Sequence, residues 1–280
     1  MEQMGLPVLI APAVIYLVAF ILYGTFFKRQ DEHIGRLATA TLAAAVLLHT
    51  FVAGMFTVEL GQLPFVGTPA VISSFVWLLA VAYLYTEMVT DDRCLGVFIT
   101  LILAALQTLS SFGDGARELS PALNTVWFNV HVVSLLLAYV AFAMAFVVGT
   151  SYVLLFRELK SAKIGFFAER LPSLQFIDGM NQKAVVIGWL FLTSGLVVGA
   201  IWLSQLQPHT IGPKAQAMSL LDPKIFMVVL NWLVYSFAIY ARQVVGWTGK
   251  RAAWLSAVGF AMVLFNLVPV GYFLTASHNF

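Results

Sequence analysis

The sequence predicts an all-α polytopic integral membrane protein of about eight transmembrane helices with both termini outside, and three observations carry that reading. Hydrophobic residues make up 61% of the chain and charged residues 10%, with a mean hydropathy of +0.91, which excludes a soluble domain with a large core. The apolar residues gather into long runs. The longest, 126–156, holds no Asp, Glu, Lys or Arg and exceeds the roughly 20 residues that cross a hydrocarbon core. The basic residues fall on alternate connections between runs. Backbone in hydrocarbon must pair its own polar groups, so each run is a helix.

Taken in order, the spans are expected at 6–27, 35–58, 69–90, 95–111, 124–156, 184–206, 224–244 and 252–275, within a single transmembrane domain covering 1–280. The first lacks a basic leader and a small-residue cleavage site, and Lys28 and Arg29 follow it, so it reads as a retained span. The fourth is short and ends in Gln107, Thr108, Ser110 and Ser111, which suits a tilted or partly re-entrant segment. In the fifth, Ser134, Ala138, Ala141, Ala145 and Gly149 recur at steps of three and four, a small-residue stripe that would face protein. The connection 157–183 mixes aromatics with charges in I-G-F-F-A-E-R-L-P-S-L-Q-F, and a short interfacial helix is expected there. In the sixth, Gly195 and Gly199 form a GxxxG step, extended by Gly188, that reads as a helix-packing face. Trp127, Trp202, Trp247 and Tyr272 sit at span ends as interfacial anchors.

Lys28, Arg29, Arg36, Arg93, Arg157, Lys160, Lys163, Arg170, Lys183, Arg242, Lys250 and Arg251 flank one set of connections, and Arg117, Lys214 and Lys224 the other. The basic set belongs on the cytoplasmic side, which places both termini and the connections 59–68, 112–123 and 207–223 outside. This asymmetry accounts for the net charge of +2 without a nucleic-acid partner. Cys94 is the single cysteine, so there is no internal disulfide, no C-x-x-C pair and no haem-attachment motif.

The five histidines are His33, His49, His131, His209 and His278. His131 near the outer end of the fifth span, His278 just past the eighth and His209 in the outer connection converge on one side. Neutral imidazole is a good axial ligand for haem iron, and His131 with His278 suits that task. His49 lies about 14 residues into the second span, near mid-bilayer at about 1.5 Å per residue. The residues alone leave a plainer reading open for each. A membrane histidine also serves by hydrogen-bonding a carbonyl of the next helix, and His33 in K-R-Q-D-E-H and His209 in Q-L-Q-P-H-T-I-G-P read as turn and loop residues.

The stretch S-P-A-L-N-T-V-W-F-N-V-H-V-V-S-L-L-L-A-Y-V-A-F-A-M-A-F closely resembles a helix of the CcsA/HemX cytochrome c assembly family, in which a histidine followed by Y-x-x-F-x-x-A-F is an external haem ligand. Tyr139, Phe142, Ala145 and Phe146 match the pattern. The resemblance spans residues 40–280 and implies that His131 and His278, in the closing S-H-N-F, are the external ligands and that His49, in L-H-T-F-V-A-G-M-F, is the intramembrane histidine. It implies haem b as cofactor, a ResB/CcsB-type membrane partner, apocytochrome c, and a plasma (inner) membrane. Of the family's tryptophan-rich loop, Trp202, Asp222, Pro223 and Lys224 survive, whereas the central tryptophans do not, and G-T-P-A-V around Ala70 lacks the acidic residue usual after the second span. Aromatic faces would pack against the porphyrin, so this loss makes the chain at most a component of a cytochrome c haem lyase.

Three functions follow as expectations. The first is haem handling, in which haem is bound or presented at the outer face for cytochrome c biogenesis. The second, implied by the HemX branch, is a non-catalytic regulator of tetrapyrrole synthesis or a structural subunit of a larger respiratory assembly. The third, a solute transporter, is disfavoured because the spans carry almost no buried charge beyond His49 and no paired acidic residues.

Overall fold

In the computed structural model of the chain, which describes residues 6–113, 125–161, 165–205 and 223–274, a helix occupies each of the eight predicted places. They are α1 (Leu6–Arg29), α2 (Glu32–Leu60), α3 (Thr68–Thr90), α4 (Gly96–Ser111), α5 (Val126–Lys160), α6 (Leu174–Gln205), α7 (Pro223–Gln243) and α8 (Lys250–Phe265), the last continuing as a π-helical segment, Asn266–Leu274. Among the described residues seven helices are long and apolar enough to cross a membrane, and α4, with 16 residues, is the short one. The molecule is a multi-pass membrane protein.

Local chemistry sets the ends. Asp31 caps α2 by accepting the His33 backbone N–H at 2.8 Å, and Gly61 closes it in the left-handed conformation at φ 63°. Thr125 caps α5 through the Phe128 N–H, and Pro69 stands in the first turn of α3, where its missing N–H costs nothing.

Two expectations are corrected. The 157–183 connection forms no separate interfacial helix among its described residues, its two ends belonging to α5 and α6. Gly165–Leu171 makes hydrogen-bonded turns, and Pro172 disfavours helix at Leu171 before α6 begins at Leu174. The last span is not one α-helix either. Pro269 cannot donate, and its ring would strike the Phe265 carbonyl in an α-helix, so the chain widens into π geometry.

α5 is the axis. Its small-residue stripe faces protein: Ala138, Ala141 and Ala145 are buried, and a Cβ on Gly149 would lie 3.3 Å from the Ala253 backbone of α8. α6 also packs along α5, with Gly188 over the Phe142 ring, which itself stacks on Tyr235 of α7 at 3.5 Å between centroids. α1 to α4 form a second group that joins α5 through α3.

The basic ends of the helices are tied together. Arg93, before α4, pairs with Glu32 at 3.3 Å, and Arg242 grips Asp178 through two bonds of 2.6 and 3.1 Å while the Gly249 N–H donates to the same carboxylate. Cys94 is buried here; burial first and the Asp92 carboxylate second push its thiol up to about 12. The thiolate is therefore unpopulated at mildly alkaline pH, and iodoacetamide should leave Cys94 unlabelled until the protein is denatured, as mass spectrometry would report. Gly149→Val should drive α5 and α8 apart and lower stability by about 1–3 kcal/mol, read as a reduced melting temperature in detergent.

Candidate functional site

At the end of the bundle opposite the basic residues, α5, α6, α7, the π-helical segment and the loop before α3 enclose a cleft of about 390 Å³. That volume lies within the range of ligand pockets. Leu135, Leu136, Val132, Leu196, Val228 and Leu267 are among the apolar side chains of the wall, and Lys224 is the charged residue among the lining side chains. The polar side chains in this apolar wall are few.

His131, on the second turn of α5, lines the cleft. Its Nδ1 lies 2.7 Å from the Gly195 carbonyl oxygen of α6. A carbonyl only accepts, so a proton sits on Nδ1, and in the neutral form of the ring Nε2 is the acceptor nitrogen. Metal-bound histidines use this tautomer, with the second nitrogen donating to a carbonyl or carboxylate. The ring lies beside Trp202 at 6.4 Å and 24°, and Phe128 packs on Trp202 at 5.3 Å. Trp202 is thus buried in the cleft wall rather than an exposed interfacial anchor. Deeper in the wall, Asn266 donates from Nδ2 to the Tyr139 hydroxyl at 3.0 Å.

His49 stands apart. It is buried at the centre of the first four helices, its Nε2 2.9 Å from Ser73 Oγ and its Nδ1 3.1 Å from the Tyr16 hydroxyl. Ser73 gives its own proton to Gln107 Oε1 at 3.2 Å, so it accepts from His49 Nε2–H, and Nδ1 accepts from Tyr16. His49 and His131 therefore hold opposite tautomers. Iron at His49 would have to displace Tyr16 from its lone pair. His33 is exposed, but it lies in the first turn of α2 and not in a connecting turn as expected, while His278, Asp222 and His209 lie outside the described residues.

One buried charge escaped the sequence reading. Glu87, near the end of α3, accepts from Tyr23 at 2.6 Å and from Thr39, with Arg93 at 3.6 Å. It stands three residues before the polar run T-D-D-R at 90–93. Its four-residue spacing from Tyr83, also buried, was the available sign that it faces inward.

The sequence matches the family described as Cytochrome C assembly protein over residues 8–277. The chain belongs to that family. The cytochrome c biogenesis protein CcsA of Guillardia theta is 24% identical, covering 94% of this chain and 92% of its own length. CcsA of Microcystis aeruginosa is also 24% identical, over 81% and 80% of the two chains. The protein HemX of Bacillus subtilis is 24% identical over 92% of each. Family membership covers the cleft, both described histidines under discussion and the π-helical segment.

His49→Ala would leave Tyr16 and Ser73 without their partner in a dry environment. The expected cost is about 1–3 kcal/mol, measured by denaturant unfolding in detergent micelles. The cleft around His131 should be unaffected.

Proposed function

We propose that this member of the cytochrome c assembly family binds haem in the cleft, with His131 as one axial ligand and His278 as the second, and presents it at the outer face for cytochrome c biogenesis. The observation that carries the reading is the Gly195 carbonyl on His131 Nδ1, the arrangement in which a metal-bound histidine donates from its second nitrogen, in a cleft walled by aliphatic side chains. The residues present fit the group. Leucines and valines suit a porphyrin face, Trp202 supplies an aromatic wall, and Lys224 at the start of α7 adds a cationic side chain to the lining. Asp222 lies two positions before Lys224, and His278 follows closely after the π-helical segment, whose first residues line the cleft.

Haem, as haem b, supplies an iron centre and reactive side groups when bound. This chain would hold the ring in the cleft, supply a ligand from His131 and exclude water from one face. The positive-inside pattern supports a cleft on the outer side of the membrane, which in this reading is the plasma (inner) membrane, with apocytochrome c and a ResB/CcsB-type protein as partners. The loop without its central tryptophans makes this chain a component of a haem lyase at most.

A second reading has support of its own. The match to HemX spans 92% of both chains, and the degenerate loop suits a regulator of tetrapyrrole synthesis that does no ligation. Deletion that leaves c-type cytochromes intact while changing cellular haem would establish it, and loss of all c-type cytochromes would sink it.

The reduced-minus-oxidised absorption spectrum of detergent-purified, haem-supplemented protein tests the first reading. Wild type should show a Soret and alpha signature that His131→Ala and His278→Ala each abolish or strongly weaken, and that His49→Ala retains. Absence of any Soret band in wild type would overturn it.

A further inference from the structure

The GxxxG step of α6 does more than let two helices meet. A Cβ built on Gly188 would meet the Phe142 ring at 2.4 Å and one on Gly195 the Leu135 side chain at 2.7 Å, which is helix packing of the ordinary kind. A Cβ on Gly199 would instead lie 2.5 Å from His131 Nδ1 and 2.6 Å from its Cε1. The imidazole occupies the volume that any side chain at 199 would need. The Gly195 carbonyl, one turn back, takes the Nδ1 proton at 2.7 Å, and in the α6 ladder the same oxygen accepts the Gly199 N–H. A carbonyl has two lone pairs and can serve both. On its other flank the ring has Trp202, also from α6.

We propose that Gly195 and Gly199 are positioning residues for His131: the carbonyl of one sets its tautomer and the bare Cα of the other sets its place, so that α6 holds the axial ligand that α5 carries. The proposal rests on the reading of His131 as an iron ligand. It predicts that adding one methyl group at 199 pushes the ring off the helix and breaks the Nδ1–H bond. The same methyl group at 188 costs packing and leaves the histidine alone.

The test uses protein carrying ¹⁵N-histidine, purified in detergent at a pH where the ring is neutral, with the His131 signals assigned by their loss in His131→Ala. Wild type should show a single tautomer with the proton on Nδ1. Gly199→Ala should show mixed tautomers, and Gly188→Ala the wild-type pattern, even where both variants melt earlier. After haem loading, Gly199→Ala should bind haem about 10–100-fold more weakly, the scale of losing the partner of a ligating histidine, and should show a shifted Soret band. Gly188→Ala should keep the wild-type spectrum. A wild-type ring protonated on Nε2, or exchanging between tautomers, overturns the proposal without need of a folded variant. Equal effects of Gly188→Ala and Gly199→Ala on the ring also overturn it, since packing alone then accounts for the motif. Should wild type show the Nδ1–H tautomer, lose it in Gly199→Ala and take up no haem, the iron-ligand reading is what fails, and the purpose assigned to the cradle goes with it.

Discussion

The middle of a bilayer offers no water to a polar side chain, so each one placed there must find its partner within the protein. That constraint organises this chain. In the first four helices it produces two polar layers, one of Tyr16, His49, Ser73 and Gln107 and one of Tyr23, Thr39, Glu87 and Arg93. Each layer takes a residue from nearly every helix of the group, and nonspecific apolar contact alone would not fix how those helices slide against one another.

The second half of the molecule meets the same constraint by proximity. Glycine and alanine bring α5 close to α6 and to α8, so backbone carbonyls come within reach of side chains on the neighbouring helix. Gly195 accepts from His131, and the Ala145 carbonyl accepts from Asn181, which in turn meets Ser256. Two histidines in one chain thereby acquire opposite protonation patterns from their surroundings alone. One joins three helices through both ring nitrogens, and the other gives its Nδ1 proton to a carbonyl of the neighbouring helix.

Much of this was legible in the sequence, for physical reasons. Apolar runs are long and charges rare, so the positions of the helices follow from the thickness of hydrocarbon. Gly188, Gly195, Gly199 and the stripe from Ala138 to Gly149 announce close packing because small residues have few other uses in a span. The register between α5 and α6 was not legible, and without it nothing says that Gly199 lies beneath His131 and not beneath an aliphatic side chain. Nor could Tyr16 and Ser73 be matched to His49, since the pairing depends on helices distant in sequence. Glu87 was hidden by the charged turn that follows it. Pro269 was plain to see, but whether a helix breaks, kinks or widens at a proline depends on its neighbours.

The tight link between α1 and α2 bears on how the protein is made. Gln30 and Asp31 are all that separates the two helices, and the hairpin they create sets Tyr16 against His49. Chains fold from the N-terminal end as they are synthesised. The most deeply placed imidazole thus emerges from the ribosome after its phenol partner, and it can be delivered to lipid already paired, before α3 and α4 exist to shelter it.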